Sequence, residues 1–251
     1  MILKGARRLP ARSWLATARR ALLALCLWHG TAAAEAEGPI IAADYAGSTD
    51  RYPHAVLGDA FEYGALVLTF SNGERRRFVL PESSVFEDTA PRLADLEGDG
   101  HPEVIVVESD RTRGARLAIY GAQGILAATS DIGTRFRWLA PLGAADLDGD
   151  GRVEIAYIDR PHLDKTLRVW RFSGGTLEPL ADLPGVTNHR IGERDIAGGM
   201  RACGARPEMI VASADWSALL AVTFGSEGFS TRRIGNDTSR AAFARAMRCQ
   251  D

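Results

Sequence analysis

The chain has 251 residues, 46% of them hydrophobic and 25% charged, with 26 glycines, 11 prolines and a formal net charge of −2. That length and apolar content fit one large or two small globular domains and exclude a disordered chain or a collagen-like repeat. Near-neutral charge also speaks against a dedicated nucleic-acid binder, and no nucleic-acid partner is expected.

The charge is unevenly spread. Residues 1–34 hold six of the 30 basic residues (Lys4, Arg7, Arg8, Arg12, Arg19, Arg20) and no acid. A short apolar run, Ala21 to Trp28, follows them, and then Ala32-Ala33-Ala34 precede Glu35. This order is that of a secretory signal peptide, predicted to be cut after Ala34. The apolar run falls well short of the roughly 20 residues that span a bilayer, so no transmembrane segment is expected in the mature chain. Arg19-Arg20 with Ala21-Leu22-Leu23 loosely resembles a twin-arginine signal, which leaves the export route open between the two systems. Leu25 before Cys26 argues against lipid attachment, where a small residue is required. The expected location is periplasmic or secreted. Once six of the 30 bases leave with the peptide, 24 remain against 32 acids, so residues 35–251 carry a net charge of −8. Cys203 and Cys249 remain as an even pair in an oxidising compartment, and a disulfide between them is expected.

The mature region repeats with a period of about 50 residues. Arg92-Leu-Ala-Asp95-Leu-Glu97-Gly-Asp99-Gly-His101-Pro-Glu103 aligns without a gap on Gly143-Ala-Ala-Asp146-Leu-Asp148-Gly-Asp150-Gly-Arg152-Val-Glu154. Degraded copies are read at Asp44, before Pro53-His54-Ala55-Val56-Leu57, and at Asp195, before Pro207-Glu208-Met209. Each copy continues with an apolar run (Ala55–Leu57, Val104–Val107, Ile155–Ile158, Met209–Ala212), a turn, and an alternating run (Ala65–Phe70, Arg116–Tyr120, Thr166–Phe172, Ala218–Phe224). A further strand follows each of these (Arg76–Leu80, Ile125–Ser130, Leu177–Leu183, Phe229–Ile234). Four antiparallel strands per unit predict an all-β fold, a β-propeller with blades at about 38–84, 85–135, 136–186 and 187–236. The ring either closes with four blades or stays an open arc. Residues 237–251, with good helix formers behind Asp237-Thr238-Ser239, predict a short C-terminal helix.

The pattern Asp-x-(Asp/Glu)-Gly-Asp-Gly-x-x-Glu before an apolar strand resembles the calcium loop of FG-GAP and VCBS repeats, the blade units of integrin-α-type propellers. Two departures stand out. The ninth loop position is Glu where those families usually have Asp, and four copies are present where integrin-type propellers have seven blades.

Carboxylates at Asp95, Glu97, Asp99 and Glu103, and again at Asp146, Asp148, Asp150 and Glu154, repel one another unless a cation sits among them. Calcium takes six to eight hard oxygens, and such a loop, with the backbone carbonyl of His101 or Arg152 at its seventh position, provides most of them. Ca2+ is therefore the expected cofactor, structural in both loops. The loops at Asp44 and Asp195 lack the carboxylates and are expected to hold no metal. In the last copy the Cys203–Cys249 bridge is expected to take over as the clamp.

The strands facing a propeller's axis carry Arg92, Arg135, Arg137, Trp138, His189 and Arg190, which are candidates for an anion or carbohydrate site, or else neutralise the acidic loops and fill the core. His54, His101, His162 and His189 are spread one to a copy. No Gly-x-Ser-x-Gly, His-Glu-x-x-His or Cys-His pair is present, so no catalytic residue is assigned and an enzyme is not the leading reading. The leading expectation is an exported calcium-binding module for a protein or glycan partner. The alternatives are a carbohydrate-binding or carbohydrate-active protein using the Arg/Trp/His mouth, and a scaffold subunit of an envelope complex.

Overall fold

The computed structural model describes residues 38–58 and 60–250. The expected signal peptide, with Cys26, lies outside the described residues. Seventeen strands and one helix follow in order: β1 (Ile40–Thr49), β2 (Glu62–Phe70), β3 (Arg75–Val79), β4 (Ser84–Phe86), β5 (Arg92–Ala94), β6 (Glu103–Asp110), β7 (Gly114–Gly121), β8 (Gly124–Ala128), β9 (Leu139–Ala145), β10 (Glu154–Asp159), β11 (Thr166–Ser173), β12 (Thr176–Pro184), β13 (Val186–Thr187), β14 (Gly199–Arg201), β15 (Glu208–Ser213), β16 (Leu219–Gly225), β17 (Gly228–Gly235) and α1 (Arg240–Met247). The fold is all-β with one short C-terminal helix.

Every strand pair is antiparallel. One sheet runs β1-β2-β4-β6-β7-β8 with β3 on β2 and β5 on β6; a second runs β12-β11-β10-β9; a third runs β13-β15-β16-β17 with β14 on β15. The strands read as apolar runs, β6, β10 and β15, each lie between two core clusters, so both of their faces are buried and alternation disappears from their sequence. In β6, Val104 and Val106 face Leu66, Leu68 and Phe70 of β2, whereas Ile105 and Val107 pack with Trp138, Leu139, Ile155 and Tyr157 of the next sheet. Ile158, Leu167 and Val169 of the second sheet in turn meet Met209, Val211, Val222 and Phe224 of the third. The other face of the third sheet, Ile210, Ala212, Leu219 and Ala221, is covered by Ala242, Phe243 and Ala246 of α1. That helix starts where Ser239 accepts from the Ala242 N–H, an N-cap that satisfies a free donor of its first turn. Cys203 and Cys249 form the expected disulfide, with Cα atoms 5.6 Å apart, and fasten the end of α1 to the turn before β15.

The first repeat departs from its expected register. Ala55–Leu57 is not a strand; β1 takes that place against β2, and Asp44 pairs with Val67 in mid-strand instead of opening a loop. The residues between β1 and β2 turn inward, and Val56 and Leu57 join the core between the first two sheets. The fourth repeat is also shifted. Pairing of Ala94 with Glu103, Ala145 with Glu154 and Arg201 with Glu208 puts Ala202, not Asp195, where Asp95 and Asp146 stand. The turn is cut from eight residues (95–102 and 146–153) to six (202–207), and it carries Cys203.

Candidate functional site

Two acidic turns and one aromatic-histidine cluster hold most of the polar side chains expected to do chemistry. Each acidic turn links an inner strand to the first residue of the next, β5 to β6 and β9 to β10. The glycines that permit the reversal, Gly98, Gly100, Gly149 and Gly151, all have φ between 71° and 85°, a region other residues rarely adopt. In the second turn Asp146 accepts from the N–H groups of Gly149 and Gly151 (2.7 and 3.0 Å), Asp148 from Asp150 (3.1 Å) and Asp150 from Arg152 (2.9 Å). Glu154 is buried and accepts from the Leu147 N–H at 2.8 Å. One carboxylate oxygen from each of Asp146, Asp148 and Glu154 lies within 4.8 Å of the others, a group that could hold a metal ion. The donors are all oxygen, the set that a hard cation such as calcium prefers.

A guanidinium already reaches this group. Arg171, opposite Glu154 in the β10–β11 register, bonds Glu154 through Nε at 2.7 Å and Asp148 at 3.1 Å, and lies 3.2 Å from Asp150. Arg152 is exposed and pairs with Asp150 at 2.7 Å. That pair and the Arg152 N–H hold the Asp150 carboxyl down at about 2.

The first turn is wired similarly but lacks that arginine. Asp95 accepts from Asp99 and Gly100 (3.1 and 2.9 Å), Asp99 from His101 (2.8 Å) and Glu103 from Leu96 (3.0 Å). Glu97 reaches across to the Gly174 N–H at 2.8 Å, tying this turn to the β11–β12 hairpin. The side chain of His101 is exposed. Continuing the β6–β7 register from Val104 and Tyr120 puts Gly121 opposite Glu103, where the second repeat has Arg171. Burial pushes both Glu103 and Glu154 up from the usual carboxylate range; nearby Asp99 and Glu97 add to this for Glu103. Glu208, at the same place in the third sheet, goes the other way: burial alone would raise it, but bonds from Arg232 (2.9 Å) and Arg201 (2.8 Å) hold it below that range.

The expected mouth residues separate in space. Arg92 is bound to buried Asp88, and Arg190 lies 3.7 Å over the Trp216 ring and 3.6 Å from Glu193. Arg135 stacks on Phe136 at 4.1 Å. Trp138 is buried and donates its Nε1–H to the Glu87 carbonyl at 2.7 Å. Around it, three histidines that the sequence spreads over separate copies come together. His162 stacks near Trp138, His189 meets it edge-on, and the two imidazoles bond each other at 2.9 Å. His54 stacks on Phe136 and its Nδ1 hydrogen-bonds buried Glu87 at 2.5 Å, while Ser109 donates to the other oxygen of Glu87. Glu87, Ser109 and Phe136 carry no motif, and only the inward path of the β1–β2 loop brings His54 to them.

Residues 95–157, which include both acidic turns, match the FG-GAP-like repeat family. None of the curated proteins compared with the chain matches it. Among the described residues, no helix is long and apolar enough to cross a membrane.

Proposed function

We propose that the chain is an exported, calcium-stabilised propeller-type module that binds a partner. The convergence of Asp146, Asp148 and Glu154 in a turn of an FG-GAP-like repeat carries this reading. These three residues would hold the ion, with Asp95, Asp99 and Glu103 as the second set. When bound, calcium would neutralise the crowded carboxylates and tie each turn to the strand after it, adding stability because it binds only the folded state. The helix covering the third sheet favours an arc capped by α1 over a ring closed against the first sheet. The disulfide fits an oxidising, exported location. The test is calorimetry of the mature chain in chelator and in rising calcium: the melting temperature is expected to climb with calcium, and an unchanged value would sink the metal reading. Sequencing the exported form from its N-terminus is expected to begin at Glu35.

A second reading, binding of carbohydrate at the aromatic cluster, is favoured by one observation. Phe136, Arg137, Trp138 and His162 line a single cavity with His54.

A further inference from the structure

We propose that a cleft between the segment after β8 and one face of the second sheet binds a neutral polyhydroxyl ligand, an uncharged sugar ring or a short polyol. It is a different place from the aromatic cluster around Trp138, and it stands whether or not the acidic turns hold calcium.

The β10–β11 register builds one wall. Tyr157 stands opposite Arg168, and Asp159 and Trp170 each lie two residues further along their strands, on the same face. Thr129 to Ile132 forms the facing wall, its path fixed by bonds from the Thr129 N–H to the Leu117 carbonyl and from the Ile132 N–H to the Ala115 carbonyl, both 2.9 Å. The cleft opens to solvent and has about 220 Å3 of room. Sites for drug-sized ligands begin at roughly 300 Å3, so this one suits a single ring and not a chain of them.

The walls hold polar hydrogens that the protein itself does not use. The Trp170 indole N–H is buried without a hydrogen bond, its pull on the neighbouring Tyr157 hydroxyl falling short of bonding geometry. Tyr157 is 4% exposed, and burial pushes its hydroxyl up, so it keeps its proton for donation. Arg168 Nε, also buried, lies 2.9 Å from Asp159 as an ion pair but is not aligned to donate to it. Thr129 accepts from the Leu117 N–H at 3.1 Å and keeps its own O–H. A polar hydrogen kept from water costs stability until it is bonded, so two such N–H groups at one cleft favour a ligand that brings oxygens to them.

The charges of the walls cancel, which sets the class of ligand. Arg160 donates to Asp159 at 2.9 and 3.1 Å and pairs with Asp164, Arg168 lies 3.6 Å from Asp182 as well as beside Asp159, and Arg113 answers Asp131 at 3.3 Å. An anion would meet Asp131 and Asp159, and a cation would meet Arg160 and Arg168, so the cleft selects against both. Hydroxyl groups accept and donate at once and match the mixed wall: their oxygens accept from Trp170 and Tyr157, and their hydrogens go to Asp131. Ile132 and the Trp170 ring supply the apolar surface that the carbon face of a sugar needs. Among the described residues, neither Trp170 nor Tyr157 is stacked on another ring or under a guanidinium.

The test follows indole N–H signals by NMR in the full mature chain, whose tryptophans are Trp138, Trp170 and Trp216. The probes are D-glucose, D-galactose, D-sorbitol and sodium D-glucuronate, and W170F assigns the Trp170 signal. A neutral probe is expected to shift Trp170 saturably, while Trp138, which already donates to the Glu87 carbonyl, stays in place. D131N is expected to weaken that binding about tenfold or more and Y157F severalfold, while E227Q, on the exposed turn between β16 and β17, leaves it unchanged. A response to either sugar would assign the site to a ring, and a response to sorbitol alone to an open-chain polyol; both uphold it. Glucuronate binding as tightly as the neutral probes, or unchanged binding in both D131N and Y157F, would overturn it. A shift of Trp138 with Trp170 unmoved would overturn it and leave the carbohydrate reading at the aromatic cluster standing, and no shift with any probe would overturn both.

Discussion

The turns at 95–103 and 146–154 have the same glycines, the same spacing and nearly the same backbone hydrogen bonds, yet they handle their charge differently. The second contains Arg171, bonded to Glu154 and Asp148 and close to Asp150; the first has Gly121 in the corresponding place. A Cβ at Gly121 would lie 2.9 Å from the end of the Leu126 side chain, which would have to move to admit an arginine. One turn thus has a guanidinium beside its carboxylates, and the other has none in the corresponding place. The third sheet completes the series. Its shortened turn has lost the acids, and Glu208 faces two arginines while a disulfide holds the loop.

Removing the internal cation should break the distinction most severely. R171A leaves the buried Glu154 carboxylate without its partner and is expected to cost about 3–5 kcal/mol in denaturant unfolding. Calcium should restore part of that loss, since the vacated position then needs a cation; a variant indifferent to calcium would contradict the comparison. Reducing the bridge of the third sheet, or the C203S/C249S variant, should cost about 4 kcal/mol for a closed loop of this length. That loss should not respond to calcium.

The chelator experiment separates the two acidic turns more finely. D99N is expected to remove more of the calcium-dependent rise in melting temperature than D150N does, because Asp150 already has Arg152 and Arg171 nearby. Equal effects would mean that Arg171 and Arg152 do not lessen the second turn's need for the ion. The smallest effect is in pH. Glu208 has its folded pKa lowered, so its contribution is present above the unfolded value of about 4.3 and fades as pH falls through the folded one. Glu103 is raised, so without metal its contribution is complete below about 4.3 and is lost as pH rises through its folded value. In chelator, E208Q should flatten the acid side of a plot of melting temperature against pH, and E103Q the opposite side.

Much of the fold could be read from the sequence where local chemistry and the repeat agree. The apolar runs became β6, β10 and β15, the alternating runs became β2, β7, β11 and β16, and the capping residues Asp237 to Ser239 preceded α1. The reading failed where spacing alone carried it. Asp44 and Asp195 lie about one period from the intact loops, yet strand register is set by which residues bury their side chains, and Ile40 with Tyr45 packs β1 against β2. The acidic turns were legible because their carboxylates lie within nine residues of the chain. The cluster around Trp138 was not, since His54, Glu87, His162 and His189 come from three separate loops and one strand end, and no spacing rule joins them. Arg171 was missed for a similar reason: its role depends on pairing across β10 and β11, not on its neighbours in the chain.

The Cys203–Cys249 bond closes a ring of covalent chain, 46 residues apart along the sequence, that contains β15, β16, β17 and α1. A protease that nicks the exposed hairpin between β16 and β17 therefore converts that ring into two tethered arms, and neither can diffuse away. The nicked protein should run as one band without reductant and as two with it.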